Sequence, residues 1–141
     1  MTQKRIMLVD DSSMMRLIIR NLLLTDSNLT IVNSAENGKK ALEALPTAQP
    51  DLILLDLEMP EMDGIEFLRL ARSKTKAKII VLTSVAPAGS SKATLALSLG
   101  ADAIISKPSG AVSFDLKEAR GSELFQVIYK QLGMGNPHVI A

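Results

Sequence analysis

The sequence predicts an α/β fold built on a parallel sheet, and three observations carry the prediction. Five short apolar runs begin at Ile6, Leu29, Leu52, Ile79 and Ala103, at intervals of roughly 20–30 residues, the repeat of βαβ units. Between them lie stretches whose apolar residues recur at helical spacing. Four of the five runs end on a charged or hydroxyl side chain, where a strand buried on both faces has to stop.

The first run, Ile6 to Val9, ends on Asp10 and Asp11, and Ser12 or Ser13 can cap the helix that follows. Met14, Leu17, Ile18, Leu22 and Leu23 give that helix an apolar stripe as far as Thr25, and Asp26-Ser27-Asn28 is a turn. Leu29 to Val32 is the second strand. Asn37-Gly38 resembles a hairpin signal, but Lys39 to Leu45 has helical spacing, so the pair feeds a helix that Pro46 and Pro50 bracket at its exit. The third run, Leu52 to Leu55, meets Asp56, after which Pro60 and Asp63-Gly64 turn the chain. Ile65, Phe67, Leu68, Leu70 and Ala71 form the third helix. Ile79 to Leu82 is the fourth strand and ends on Thr83 and Ser84. Thr94 to Leu99 alternates like a strand, yet Gly100 is a helix stop and a crossover is required there, so it is read as helix. Ala103 to Ser106 is the fifth strand, ending on Lys107-Pro108, and Glu118 to Leu132 is the last helix.

Composition removes several function classes. With 141 residues the chain holds one domain, read as residues 1–132, with 133–141 as a flexible tail or the stub of an interdomain linker. A net charge of +1 and 3% aromatic content give no basis for nucleic-acid binding or for attraction to an anionic membrane. There is no cysteine, which excludes disulfides, thiolate metal sites and thiol nucleophiles. No apolar run is long enough to span a membrane, and the expected location is the cytoplasm.

The strand ends carry the chemistry. Right-handed crossovers bring Asp10, Asp11, Asp56, Thr83 and Lys107 to one edge of the sheet. Three carboxylates in one crevice repel one another unless a cation joins them, and oxygen-only ligands favour Mg²⁺ or Mn²⁺ over zinc. A lysine and a hydroxyl beside them suit an incoming phosphoryl group. A carboxylate beside such a cation can be the nucleophile, giving an aspartyl phosphate. Taken singly, an Asp after a strand is usually a turn or cap residue and a Lys is usually solvated. Their joint occurrence in order is what points to a site.

Asp10-Asp11, Asp56 with Met59-Pro60 and Asp63-Gly64, Thr83-Ser84 and Lys107-Pro108 closely resemble the receiver domain of two-component response regulators, over residues 4 to 132. The resemblance implies a flavodoxin-like (βα)5 three-layer fold with a five-stranded parallel sheet in the order 2-1-3-4-5. It implies that Asp56 accepts phosphate from a sensor histidine kinase, and that Asp11 and Asp56 bind Mg²⁺ directly, with Asp10 acting through water and Glu58 through its backbone carbonyl. Thr83 and Lys107 would contact the phosphoryl group. The stretches Asp10-Asp11-Ser12, Ala35-Glu36-Asn37-Gly38, Asp56 to Pro60 and Lys107 to Gly110, with Ser113 and Asp115, are similar to the regulatory domain of the chemotaxis protein-glutamate methylesterase. That similarity implies regulation of a methylesterase output domain, attached or separate. The only histidine is His138, so this chain lacks that domain's Ser-His-Asp chemistry, and no activity is expected of it beyond its own phosphorylation and dephosphorylation. Ile104 stands where receivers usually carry an aromatic switch residue.

Two other readings share the receiver architecture: a stand-alone chemotaxis regulator and the receiver of a truncated transcription factor. From a different class, an Asp-nucleophile phosphatase of the haloacid-dehalogenase type would need a second Asp two residues after the first, where Glu58 stands. A dinucleotide-binding domain would need a G-x-G-x-x-G turn after the first strand, and there is none.

Overall fold

Adjacent residues along the inner strands point to opposite faces of the sheet, and both faces are apolar, so both must be covered. The computed structural model describes residues 3–57, 64–83, 91–106 and 121–134. In chain order the elements are β1 (Lys4–Val9), α1 (Ser13–Leu23), β2 (Leu29–Ala35), α2 (Gly38–Ala48), β3 (Leu52–Asp56), α3 (Gly64–Ala71), β4 (Lys78–Thr83), α4 (Ser91–Ser98), β5 (Ala103–Ser106) and α5 (Gly121–Leu132). The strands form one parallel sheet in the order β2-β1-β3-β4-β5. Met7, Val9, Ile53, Leu55, Ile79 and Val81 pack against α2, α3 and α4 on one face. Ile6, Leu8, Leu52, Leu54, Ile80 and Leu82 pack against α1 and α5 on the other. The three-layer flavodoxin-like fold expected from the sequence is the fold observed.

Four expectations need correction. In α1 the buried residues are Met15, Ile19 and Leu23, with Ile18 and Leu22 half-buried, while Met14 and Leu17 of the expected stripe are 65% and 54% exposed. Apolar residues occupy most positions of this helix, so spacing alone could not select the inward stripe. β2 runs three residues past Val32, to Ala35, because backbone pairing with β1 continues through the polar Asn33 and Ser34. α2 runs through Pro46 to Ala48. Pro46 lacks the N–H that would reach the carbonyl of Leu42, but the helix end is held from elsewhere. The Arg5 guanidinium donates to the carbonyl of Ala48 at 2.7 Å (Nη2) and to that of Gln49 at 3.1 Å (Nε). α4 begins three residues before Thr94 and ends at Ser98. Gly100 follows with φ +114°, so its role as a stop is confirmed.

The last helix ends at Leu132, as read. Gly133, at φ +68°, donates its N–H to the Lys130 carbonyl, and Met134 donates to that of Tyr129, a pairing that closes α5. Residues 118–120 of the expected helix and 135–141 of the expected tail lie outside the described residues.

The edge of the sheet where the strands begin is held by polar clamps. Arg72 donates to the carbonyls of Gly100, Thr75 and Ala77 and pairs with Asp102 at 3.6 Å. A Cβ on Gly100 would meet the Arg72 side chain at 2.4 Å, so a side chain there would dislodge the clamp as well as strain the backbone. Asp26, buried in the turn after α1, accepts the Asn28 N–H on one oxygen and the Tyr129 hydroxyl on the other. That contact fastens α5 to a turn 103 residues earlier in the chain. Burial raises the Tyr129 pKa first, and the bond to Asp26 raises it further.

A hydroxyl whose folded pKa lies above its unfolded value adds stability that is complete below the unfolded pKa and lost as pH rises through the folded one. Tyr129→Phe leaves the buried Asp26 one donor short and is expected to lower unfolding free energy at pH 7 by about 1–3 kcal/mol. In urea titrations the parent protein should also lose stability above pH 10 more steeply than Tyr129→Phe. Parallel alkaline profiles would show that the hydroxyl is not the titrating clamp.

Candidate functional site

In a sheet of this order the direction of winding reverses between β1 and β3, and their C-terminal ends leave a crevice there. Val9 pairs with Leu55 across these two strands, so the next residues, Asp10 and Asp56, stand at the same level on either side of it. On the other flank of β3, Asp56 pairs with Leu82, and Thr83 is the next residue of β4. Strand register alone therefore brings together groups that are 27 to 73 residues apart in the chain.

One carboxylate oxygen from each of Asp10, Asp11 and Asp56 lies within 4.8 Å of the others. Asp10 and Asp56 are buried and Asp11 is exposed, so the cluster has a dry floor and one carboxylate at its mouth. Asp10 Oδ2 and Asp56 Oδ2 are buried and accept no hydrogen bond among the described residues, although both side chains also engage other groups. Three carboxylates brought this close, two of them buried, form a donor set made only of oxygen, which fits a hard divalent cation. Thr83 is fully buried at the end of β4.

The loop carrying Asp10 and Asp11 is tied on three sides. The Asp10 N–H donates to the Ala35 carbonyl of β2 at 3.1 Å. Asp10 Oδ1 accepts the Ser12 N–H at 2.9 Å, and the Ser12 hydroxyl caps α1 by accepting the Met15 N–H. Arg16, one turn into α1, donates to the Asp10 carbonyl at 2.6 Å. Beyond the end of β2, exposed Glu36 pairs with Lys40. The bond to Lys40, then its charge, holds the Glu36 carboxyl below the ordinary glutamate value, and Arg16 adds a smaller effect of the same sign.

The sequence reading placed Asp10, Asp11, Asp56 and Thr83 together, and the structure does so. Lys107 and Glu58 lie outside the described residues, as do Met59, Pro60, Asp63, Ser84, Pro108, Ser109, Gly110, Ser113 and Asp115. Ile104 is half-buried and packs against the core face covered by α2 to α4. Sequence reasoning gave Arg16 no role, and its place four residues after the Ser12 cap was the only available signal. Gly64 was read as a turn residue, and the structure gives it a tighter duty. Its N–H donates to the Leu57 carbonyl, and a Cβ on it would sit 2.6 Å from the Asp56 carbonyl oxygen and 2.7 Å from Leu57 Cα.

A model of the response regulator receiver domain matches residues 6–131. The chain belongs to this family. It is 42% identical, over 116 residues, to a protein-glutamate methylesterase/protein-glutamine glutaminase of Halalkalibacterium halodurans, covering 82% of this chain and 34% of that protein. The chain thus spans about a third of the length of this curated relative. The response regulator domain of Thermotoga maritima CheB superposes with a TM-score of 0.84 at 30% identity, covering 93% of this chain and 97% of the other. A chain in the crystal structure of the P1 domain of CheA3 in complex with CheY6 from R. sphaeroides is 45% identical, with a TM-score of 0.71, covering 90% of this receiver and 99% of that chain.

Because the α3 backbone passes against the peptide that carries Asp56, a methyl group at Gly64 forces one of them to move. Gly64→Ala is expected to destabilise the receiver by about 1–3 kcal/mol, the usual range for overpacking. It should also displace the backbone resonances of Asp56 and Leu57 in NMR spectra. An unperturbed spectrum with full stability would show that the close approach imposes no constraint.

Proposed function

We propose that this receiver takes a phosphoryl group on Asp56 from the phosphohistidine of a sensor histidine kinase in a chemotaxis pathway. We further propose that the modification regulates a methylesterase output domain. The observation that carries the reading is the convergence of Asp10, Asp11 and Asp56 at the β1/β3 switch point, with Thr83 beside them. Identity to the methylesterases over their receiver portion supports the output domain, and the 45% identity to a chain of the CheA3–CheY6 complex supports the kinase. That second likeness also favours a stand-alone chemotaxis regulator, with the same chemistry at Asp56. We place the domain in the cytoplasm. Among the described residues no helix is long and apolar enough to cross a membrane.

In the proposed transfer an Asp56 carboxylate oxygen attacks phosphorus, a P–O bond forms, and the P–N bond to the kinase imidazole breaks. The leaving imidazole keeps the bonding pair and is protonated. Asp10, Asp11, Asp56 and the Glu58 carbonyl would hold Mg²⁺ or Mn²⁺, which when bound neutralises the carboxylates and the phosphoryl oxygens. The Thr83 hydroxyl donates to a phosphoryl oxygen, and the Lys107 ammonium pairs with another. Little covalent work falls to the protein beyond supplying the nucleophile. Its task is position and charge.

With Mg²⁺ and a small acyl-phosphate donor, the protein should gain one phosphate by intact-mass spectrometry. Asp56→Asn, or EDTA, should abolish the gain. Full phosphorylation of Asp56→Asn would remove Asp56 from its role, and uptake unchanged by EDTA would remove the cation.

Kinase docking is a separate prediction. Met14 and Leu17 are large, apolar and more than half exposed on α1, whose first turn begins beside Asp11. An exposed apolar pair at the rim of the site suits a helical partner carrying the phosphohistidine. Replacing both with Glu is expected to slow transfer from the kinase domain at least ~10-fold, as loss of an interface anchor worth ~1.4 kcal/mol would. Uptake from the small donor should stay at the parent rate. Equal slowing with both donors would place the defect in the site itself.

A further inference from the structure

We propose that Arg16 is a positioning residue for the acidic cluster: its guanidinium clasps the Asp10 carbonyl and so fixes the loop from which Asp10 and Asp11 meet a divalent cation. The inference rests on the cation-binding reading above and adds to it a residue outside the carboxylate set.

The geometry separates two roles that a cation near three carboxylates could play. A guanidinium that served to neutralise the cluster would bind a carboxylate directly, in the bidentate geometry that Arg favours. Arg16 does not. Its 2.6 Å bond goes to the backbone carbonyl of Asp10, and among the described residues no carboxylate lies within 4.0 Å of its nitrogens. The carboxylate oxygens are thereby left to other partners. Meanwhile the Arg16 N–H donates to the Ser12 carbonyl as the first bond of α1, at 3.0 Å. One residue thus grips the loop at both ends, Asp10 through its side chain and Ser12 through its backbone. Asp11 lies between the two grips, exposed, with its direction set by the backbone on either side. Groups outside the ligand set that orient a metal ligand typically change metal affinity 10–100-fold when removed.

The two roles predict opposite signs. A bystander cation repels a divalent ion, so its removal should tighten binding. A positioning clasp should weaken binding when removed, even where the charge is kept. The experiment is Mn²⁺ titration followed by EPR of the free ion, on the parent, Arg16→Gln, Arg16→Lys, Asp11→Asn and Lys40→Gln. Amide hydrogen exchange of Asp10 and Ser12 is measured on the same proteins without metal. Arg16→Gln is expected to weaken Mn²⁺ binding roughly 10-fold. Arg16→Lys, which keeps the charge but ends one bond short of the Nη1 that reaches the Asp10 carbonyl, should weaken it too. Both should speed exchange at the Ser12 N–H. Lys40→Gln, which removes a nearby charge from another element, should not weaken binding.

Tighter binding in Arg16→Gln, or parent affinity in Arg16→Lys, would overturn the proposal in favour of a charge effect. Unchanged exchange in both variants would overturn it as well. A parent protein that binds no Mn²⁺, or binds it as tightly as Asp11→Asn does, while exchange still accelerates in the Arg16 variants, would overturn the cation reading and uphold the clasp.

Discussion

The constraint on which the rest depends is that three carboxylates must be held together at the edge of a sheet that is dry on both faces. Within β3 every residue from Leu52 to Asp56 is buried, so a charge could enter only where the strand meets the crevice. Opposite strand ends are about 4.7–4.9 Å apart in a sheet, near enough for carboxylate side chains on the two ends to converge on one cation. The strand order supplies that spacing. Because β1 and β3 are neighbours at the point where winding reverses, no crossover helix starts between them to cover Asp10 and Asp56. The path of α3 follows from the same need. It begins at Gly64, against the backbone of Asp56 and Leu57, which leaves no slack in the peptide that carries the central carboxylate.

How much of this could be read from the sequence depended on whether the deciding contact was local. Inner strands are buried on both faces, so they appear as unbroken apolar runs with abrupt polar ends, and Ile6, Leu52 and Ile79 were found within two residues of the observed starts. β2 is an edge strand and escapes that rule. Asn33 and Ser34 interrupt its apolar pattern before Ala35, and its pairing with β1 slips by one residue at Val32, a bulge that apolar pattern cannot show. In α1 the pattern was saturated with apolar residues, so the helix was legible and its inward face was not. α2 overran its proline because a residue on β1, Arg5, holds its last carbonyls. Asp26 looked like a turn residue, which it is, but nothing near it announced Tyr129. At the site, Asp10, Asp11, Asp56 and Thr83 were legible as a set because each ends a run. Arg16 was not, because it acts through a carbonyl that carries no sequence signature.

These long-range clamps share a location, and that location bears on function. Arg5, Arg72 and the Asp26–Tyr129 pair all lie where the strands begin, opposite the carboxylate cluster. Each closes a buried or half-buried polar contact whose loss would strand a partner, so that edge is costly to open. At the other edge, the Asp10 N–H donates to the Ala35 carbonyl of β2, Asp10 accepts from the Ser12 N–H and from Arg16 of α1, and Asp11 stays exposed. A phosphoryl group on Asp56 would change charge only at this second edge. A response confined to one edge can repack the helix–loop junctions there without opening the clamps at the base, so the domain can switch without approaching unfolding. Arg16 belongs to the responsive edge, yet it ties Asp10 to α1 rather than to the sheet. Any shift of the acidic pair would therefore be felt first by α1, the helix that exposes Met14 and Leu17 beside the site.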